Sequence, residues 1–243
     1  MKNNSYKEFS QIYDVLMNDI DYEKWTSFIV KRTDVNNKIL EAACGTGSIT
    51  SILAEKNLNV TAFDLSEDML MKAYEKLGRN RNVKLLNQDM KSFKISDKFG
   101  MAICCCDGVN YLDNEDALSF FESVYNHLDE HGRFIFDIST PHKYETMFND
   151  TYVYDDGDIF YVWENELDEE NKLVNVEINF FVSCDDGRYD RITEQQTQYV
   201  HDVKEVILML KNAGFKDIEV FDDYNDSLYN ENSLRAVFCA AKS

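Results

Sequence analysis

Residues 38–50 read Lys38-Ile39-Leu40-Glu41-Ala42-Ala43-Cys44-Gly45-Thr46-Gly47-Ser48-Ile49-Thr50, and this stretch decides the fold. Lys38 to Ala43 is short and largely apolar, as a buried strand requires. Cys44 to Gly47 turns sharply. From Ser48 to Lys56 the apolar residues Ile49, Ile52 and Leu53 recur at helical spacing. Gly45 and Gly47 let the backbone approach a ligand closely and expose amides at the start of the helix. Two such glycines are also compatible with a tight strand–helix turn that binds nothing.

Outward from this turn the pattern repeats. Leu58 to Asp64 is a second strand, and Ser66 to Leu77 a helix with Ser66 as N-cap and Gly78 just past its end. Asn82 to Leu86, Phe99 to Cys105 and Gly132 to Ile138 are three further strands, with a helix over Glu115 to Leu128. This alternation demands parallel strands with crossover helices, whose ligands bind at the carboxyl ends of the strands. Upstream, Tyr6 to Val30 has helical spacing broken near Asp19–Asp21, with Asp21 a possible N-cap. After Pro141, the only proline, the rhythm changes. Tyr152–Trp163, Lys172–Cys184 and Gly187–Val200 alternate partially and read as an antiparallel insertion of about three strands, with a hairpin turn at Asp185-Asp186-Gly187. A helix over Val203 to Leu210, stopped by Gly214, and the strands Phe215–Phe221 and Ala236–Ala241 close the chain.

The formal charge of −20 over 243 residues repels a phosphate backbone, so nucleic acid is an unlikely partner and a neutral or cationic small molecule fits better. The basic run from Lys76 to Lys84 is a helix end. Six cysteines, three of them consecutive at Cys104–Cys106, show no metal-ligand spacing, so no metal is expected. They read as small buried hydrophobes of a reducing compartment. The start of the chain lacks an apolar signal region and no stretch reaches the length of a bilayer span, so a cytoplasmic location is expected.

Two carboxylates strengthen the ligand reading. Asp64 ends the second strand, nineteen positions after Gly45, where an acid can accept both hydroxyls of an adenosine ribose; Asp89 follows the third strand on the same edge. Dinucleotide binding is the competitor. It wants a third glycine or alanine where Thr50 stands, and Glu41 ahead of the loop would repel a pyrophosphate. A carboxylate there suits instead the ammonium and sulfonium end of S-adenosylmethionine.

Glu41-Ala42-Ala43-Cys44-Gly45-Thr46-Gly47, then FDLSEDML from Phe63, then NQDM from Asn87, resembles the ordered cofactor motifs of class I S-adenosylmethionine-dependent methyltransferases. The resemblance implies an α/β, Rossmann-like seven-stranded sheet, mostly parallel with the last strand antiparallel. It gives the loop Glu41–Gly47, including Ala43, Cys44, Gly45 and Gly47, to the methionine portion of the cofactor. Asp64 goes to the ribose, Leu65 beside the adenine, and Asp89 and Met90 to the adenine edge. The N-terminal FSQIYDVLMNDIDYEKW, CDGVNYL and FFVSCDDGRYDR resemble a small bacterial subgroup with a β-rich insertion before the last helix. On this basis residues 1–140 and 201–243 form the cofactor-binding domain with an N-terminal helical lid, and 141–200 an inserted β subdomain. Glu41 stands where many relatives have Asp, and Ala43 where Gly is common.

The expected activity is methyl transfer by in-line displacement to a small-molecule nitrogen or oxygen nucleophile. A non-catalytic cofactor-binding or interaction module, or an NAD-type oxidoreductase, are the alternatives. Such chemistry forces no catalytic signature, because alignment supplies much of the rate. Tyr13 in the lid is placed over the cofactor by the resemblance. Cys106, Asp107, Asn110 and Tyr111 follow the fourth strand and should face the methyl; Asn110, Tyr111 and His142 are the catalytic candidates, with no residue assigned. His127, His131 and His201 receive no role. The insertion, with Trp163, is expected to cover substrate or to form a homodimer surface.

Overall fold

The computed structural model describes residues 12, 13, 16, 17, 19–33, 38–148, 151–155, 157–184 and 186–243. Most of the expected N-terminal helix, and Asp185 of the expected hairpin turn, lie outside them. Helix α1 (Tyr22–Val30) begins at Asp21, whose side chain accepts the Lys24 amide at 2.9 Å, the N-cap expected from the sequence. There follow β1 (Lys38–Ala42), α2 (Ser48–Glu55), β2 (Asn59–Asp64), α3 (Glu67–Leu77), β3 (Val83–Asn87), β4 (Phe99–Cys104), a 3₁₀ turn (Gly108–Tyr111), α4 (Asn114–His127) and β5 (Leu128–Ser139). Strand β5 starts four residues before the expected Gly132, because α4 runs into it without a loop.

After Thr140, whose hydroxyl caps the Lys143 amide, Pro141 opens the short helix α5 (Pro141–Met147). Strands β6 (Tyr152–Asp155), β7 (Ile159–Asp168), β8 (Leu173–Ser183) and β9 (Tyr189–Tyr199) then form a second sheet. It has four strands, not three: Tyr152–Trp163 doubles back near Gly157 (φ +92°), so that Tyr152 pairs with Trp163. Helix α6 (Val203–Asn212), β10 (Lys216–Asp222) and β11 (Arg235–Ala241) complete the chain.

The main sheet has the order β10-β11-β5-β4-β1-β2-β3, and β11 runs antiparallel to both of its neighbours. This is the seven-stranded, Rossmann-like arrangement expected. The chain leaves β1 outward to β3 and returns to β4 on β1's other side, so the topological switch point lies between β1 and β4. Buried strands fill both faces. Leu40 and Ala42 join a core with Phe120, Phe134 and Phe238, whereas Ile39 joins one with Phe28, Ile29 and Leu53. A third cluster joins the two sheets. Val174, Val176, Ile178 and Phe180 of β8 and Ile192 of β9 pack with Ile12, Met69 and Tyr144. Trp163 and Tyr161 lie against this cluster beside Phe180, so these aromatics of the insertion serve its own packing. Gly78 differs from expectation: it sits at helical φ (−62°) as C-cap, where a Cβ would meet the Tyr74 carbonyl at 2.7 Å, so close packing and not left-handedness explains it.

Candidate active site

Period-two alternation in β1 sends Glu41 to the α2 side with Ile39. Glu41 is 3% exposed, and Thr50 of α2 donates a hydrogen bond to its Oε2 at 2.6 Å. Burial pushes this carboxyl up to about 8, against the Thr50 hydrogen bond and helped by the charge of Asp64. It forms no ion pair among the described residues, so a cation brought beside it would be strongly favoured.

The loop after β1 is held left-handed at Ala43 (φ +52°), Gly45 (φ +54°) and Gly47 (φ +78°). Ala43 carries its methyl in this turn because Gly108 lies opposite; a Cβ at Gly108 would come within 3.4 Å of it. The Gly45 amide donates to Asp64 Oδ2 and the Ser66 amide to Asp64 Oδ1, both at 2.8 Å. Asp64 thereby ties the glycine loop to the start of α3, and each carboxylate oxygen keeps a second lone pair for a ligand hydroxyl. Burial raises its carboxyl while these amides oppose the shift.

A cleft of about 670 Å³ opens along these strand ends. Tyr13, Ala43, Gly45, Asp64, Leu65, Asp89, Met90, Cys106 and Tyr111, all candidates named from the sequence or the resemblance, line it. Leu65 is 66% exposed on the cleft wall, an apolar platform. Asp89 also forms a turn, accepting the Lys91 amide at 2.9 Å. Glu41 and Cys44 line a small recess behind the loop, bounded also by Tyr13, Gly45 and Cys106. The chemistry of these residues fits S-adenosylmethionine: Glu41 would face its cationic end, and Asp64, Leu65 and Asp89 the adenosine end.

Four predicted residues, Gly47, Asn110, His142 and Asp107, do not line the cleft, and Asp107 is held instead by Arg235 and Ser139 behind it. Gly47 packs α2 against α3; a Cβ there would lie 2.9 Å from Leu77 Cδ1 and 3.2 Å from Ala73 Cβ. Asn110 is fully buried, with its amide donating to the carbonyls of Tyr199 (2.9 Å) and Ser139 (3.4 Å) and its Oδ1 accepting the Ser139 amide (2.9 Å). It clamps the turn after β4 to the ends of β5 and β9. His142 lies on α5, and its carbonyl accepts the Thr146 hydroxyl.

Sequence reasoning missed what supports this turn. Cys106 (φ +60°) and Asp107 (φ +49°) are both left-handed, a strained pair held from behind. The Asp107 amide donates to Asp137 Oδ2 at 2.9 Å, Arg235 pairs with both carboxylates, and the Tyr224 hydroxyl donates to Asp137 Oδ1 at 2.6 Å. Lys143 Nζ donates to Ser139 Oγ at 2.9 Å, and Ser139 Oγ to Asp107 Oδ2 at 3.3 Å. Two buried acids thus meet two bases. Burial alone would raise Asp107, but Arg235 and Lys143 hold it below its ordinary value. Burial lowers Lys143. Arg235 is 128 residues from Asp107, so no local pattern announces the pairing. Above the cleft, Gln195 and Gln196 of β9, also unpredicted, complete the wall, and the Tyr111 hydroxyl donates to Gln196 Oε1 at 2.6 Å.

Comparison with known proteins agrees with this geometry. The methyltransferase-domain family model matches residues 39–132. The putative methyltransferase YqeM of Bacillus subtilis (strain 168) is 36% identical over 98% of this chain and 97% of its own. The crystal structure of an S-adenosylmethionine-dependent methyltransferase from Clostridium acetobutylicum ATCC 824 superposes with a TM-score of 0.87, at 33% identity, covering 98% of this chain and 99% of that one. CalS10, an amino pentose methyltransferase from Micromonospora echinaspora, shares the fold at a TM-score of 0.76 and 16% identity over 96% of this chain and 97% of its own. Among the described residues no helix is long and apolar enough to cross a membrane. With its glycine loop, two strand-end carboxylates and full-length relatives in agreement, the chain belongs to the class I S-adenosylmethionine-dependent methyltransferases and uses S-adenosylmethionine as its cofactor.

Proposed function

We propose that this methyltransferase acts on a small molecule bearing a nitrogen or oxygen nucleophile, bound between the turn after β4 and the inner side of the four-stranded sheet. The observation that carries the reading is the cleft itself. Its volume of about 670 Å³ suits small-molecule ligands, and β9 closes it beside Cys106 and Tyr111. S-adenosylmethionine supplies an electrophilic methyl on a sulfonium. The residues of the chain contribute orientation: Glu41 balances the cationic end, Asp64 and Asp89 fix the adenosine, and Tyr13 covers the loop, its ring 3.9 Å from where a Gly45 Cβ would lie. The left-handed turn at Cys106–Asp107 sets the distance from the cleft floor to the acceptor, so alignment supplies much of the barrier reduction. The net charge of −20 favours neutral or cationic acceptors over nucleic acid.

The test is thermal and then catalytic. S-adenosylhomocysteine at 100 times its Kd should stabilise the fold by about 2.7 kcal/mol. Methyl-labelled cofactor incubated with a deproteinised metabolite extract should then label a low-molecular-weight component. Labelling only of added RNA or protein would overturn the small-molecule reading.

A further inference from the structure

The inner face of β9 carries an unexplained charge. Cross-strand register places Ile192, Glu194, Gln196 and Gln198 opposite Phe180, Ile178, Val176 and Val174, the buried face of β8. Glu194 therefore points inward and is only 5% exposed. Its neighbours across the sheet, Ile178 and then Trp163, are apolar. Among the described residues no lysine or arginine pairs with it. The nearest basic residue on the strand, Arg191, lies on the other face and donates to Asn179 Oδ1 at 2.7 and 3.1 Å. Burying a carboxylate without a cation costs several kcal/mol, so a sheet built for stability alone would place an apolar residue here.

Its position gives the carboxylate a use. Gln196, two residues on and on the same face, lines the cleft and accepts the Tyr111 hydroxyl. Gln196 also hydrogen-bonds Glu194, partly offsetting the burial that raises its carboxyl. The charge of Glu194 is felt in turn at Tyr111. A connected path thus runs from the cleft floor after β4 through Tyr111 and Gln196 to a buried acid in the covering sheet. Residues 141–200 as a whole carry fifteen acidic against four basic side chains, a field that draws cations toward this cover.

We propose that Glu194 is the anchor for the methyl acceptor, and that the acceptor is an amine that arrives as its ammonium form. The inference rests on the methyltransferase reading and narrows it from nitrogen or oxygen nucleophiles to amines. An ammonium that enters beside the cleft-lining Gln196 pairs through its N–H with the Glu194 carboxylate, the next side chain inward on the same face. In a site of low dielectric the proton then passes from nitrogen to the carboxylate oxygen, because the neutral pair is favoured over the charged pair more than in water. The nitrogen regains its lone pair, and the acid holds the proton.

The test uses the full chain and its Glu194→Gln variant, which keeps shape and hydrogen bonding and removes only the charge. A deproteinised metabolite extract is divided on a cation exchanger at neutral pH, and each fraction is incubated with methyl-labelled S-adenosylmethionine. Label should enter the retained, cationic fraction, and Glu194→Gln should reduce it at least tenfold. The melting shift produced by S-adenosylhomocysteine should be the same in both proteins. No label in the retained fraction, or undiminished labelling by the variant, overturns the proposal. Failure of S-adenosylhomocysteine to shift the native protein would instead count against the methyltransferase reading itself.

Discussion

At Glu41, in the site proposed above, a single side chain would couple cofactor binding to protons. Its carboxyl titrates near 8 in the folded chain against an ordinary value of 4.5, because burial disfavours the charge. A raised folded value means that the native state binds the extra proton between those limits. Its contribution to stability is fully present below about 4.5, falls as pH rises toward 8, and is constant above. Placing the ammonium of a methionine group beside it lowers that value again, so ligand binding at pH 7 should release a proton. Isothermal titration with S-adenosylhomocysteine in buffers of different ionisation enthalpy reads this directly. Release near one proton is expected for the native chain and none for Glu41→Gln; equal release from both would remove Glu41 from the ligand's cationic end. At Gly47 the constraint is steric. Gly47→Ala forces a Cβ into left-handed backbone and against Ala73, so we expect a loss of about 1–3 kcal/mol in chemical denaturation. An unchanged midpoint would mean that α2 and α3 separate freely.

At the scale of elements, the turn between β4 and the 3₁₀ segment is held by strands far away in sequence. Arg235 of β11 neutralises Asp107 and Asp137, both placed at the carboxyl end of the sheet. Arg235→Met leaves two buried carboxylates with only Lys143 nearby, and should cost about 3–5 kcal/mol. Adding Asp137→Asn to that variant should recover part of the loss, which a double-mutant cycle measures. Additive effects would show that the pair does not act as a unit.

Across the whole molecule, the third hydrophobic cluster joins the covering sheet to Ile12, Met69 and Tyr144, so cover and base should unfold together. The two tryptophans report on the two parts: Trp25 stacks on Tyr224 at 4.4 Å in the base, and Trp163 lies on β7. In the single-tryptophan variants Trp25→Phe and Trp163→Phe, fluorescence melts should each coincide with loss of helical signal. An earlier transition seen through Trp163 alone would mean that the cover opens as a separate unit.

What the sequence determined by itself was everything that rests on short-range order. The strand, glycine turn and helix at Ile39–Lys56, the alternation to Ile138, and the strand-end acids Asp64 and Asp89 are all local patterns whose physics repeats within about twenty residues. Together with the family resemblance, which added Tyr13, Leu65 and Met90, they named nine residues that line one cleft. What only the tertiary structure decided involves partners remote in the chain. Asn110 resembles a site residue locally, yet its amide is consumed by Ser139 and Tyr199. The Asp107–Asp137–Arg235 group draws on the turn after β4, on β5 and on β11, and Glu194 is turned inward, two residues from the cleft-lining Gln196, by the register of β8 with β9. A carboxylate's role depends on what surrounds it. Burial and pairing are properties of the folded assembly, so the residues along the strand-end cleft were legible in the sequence and the groups packed behind and above it were not.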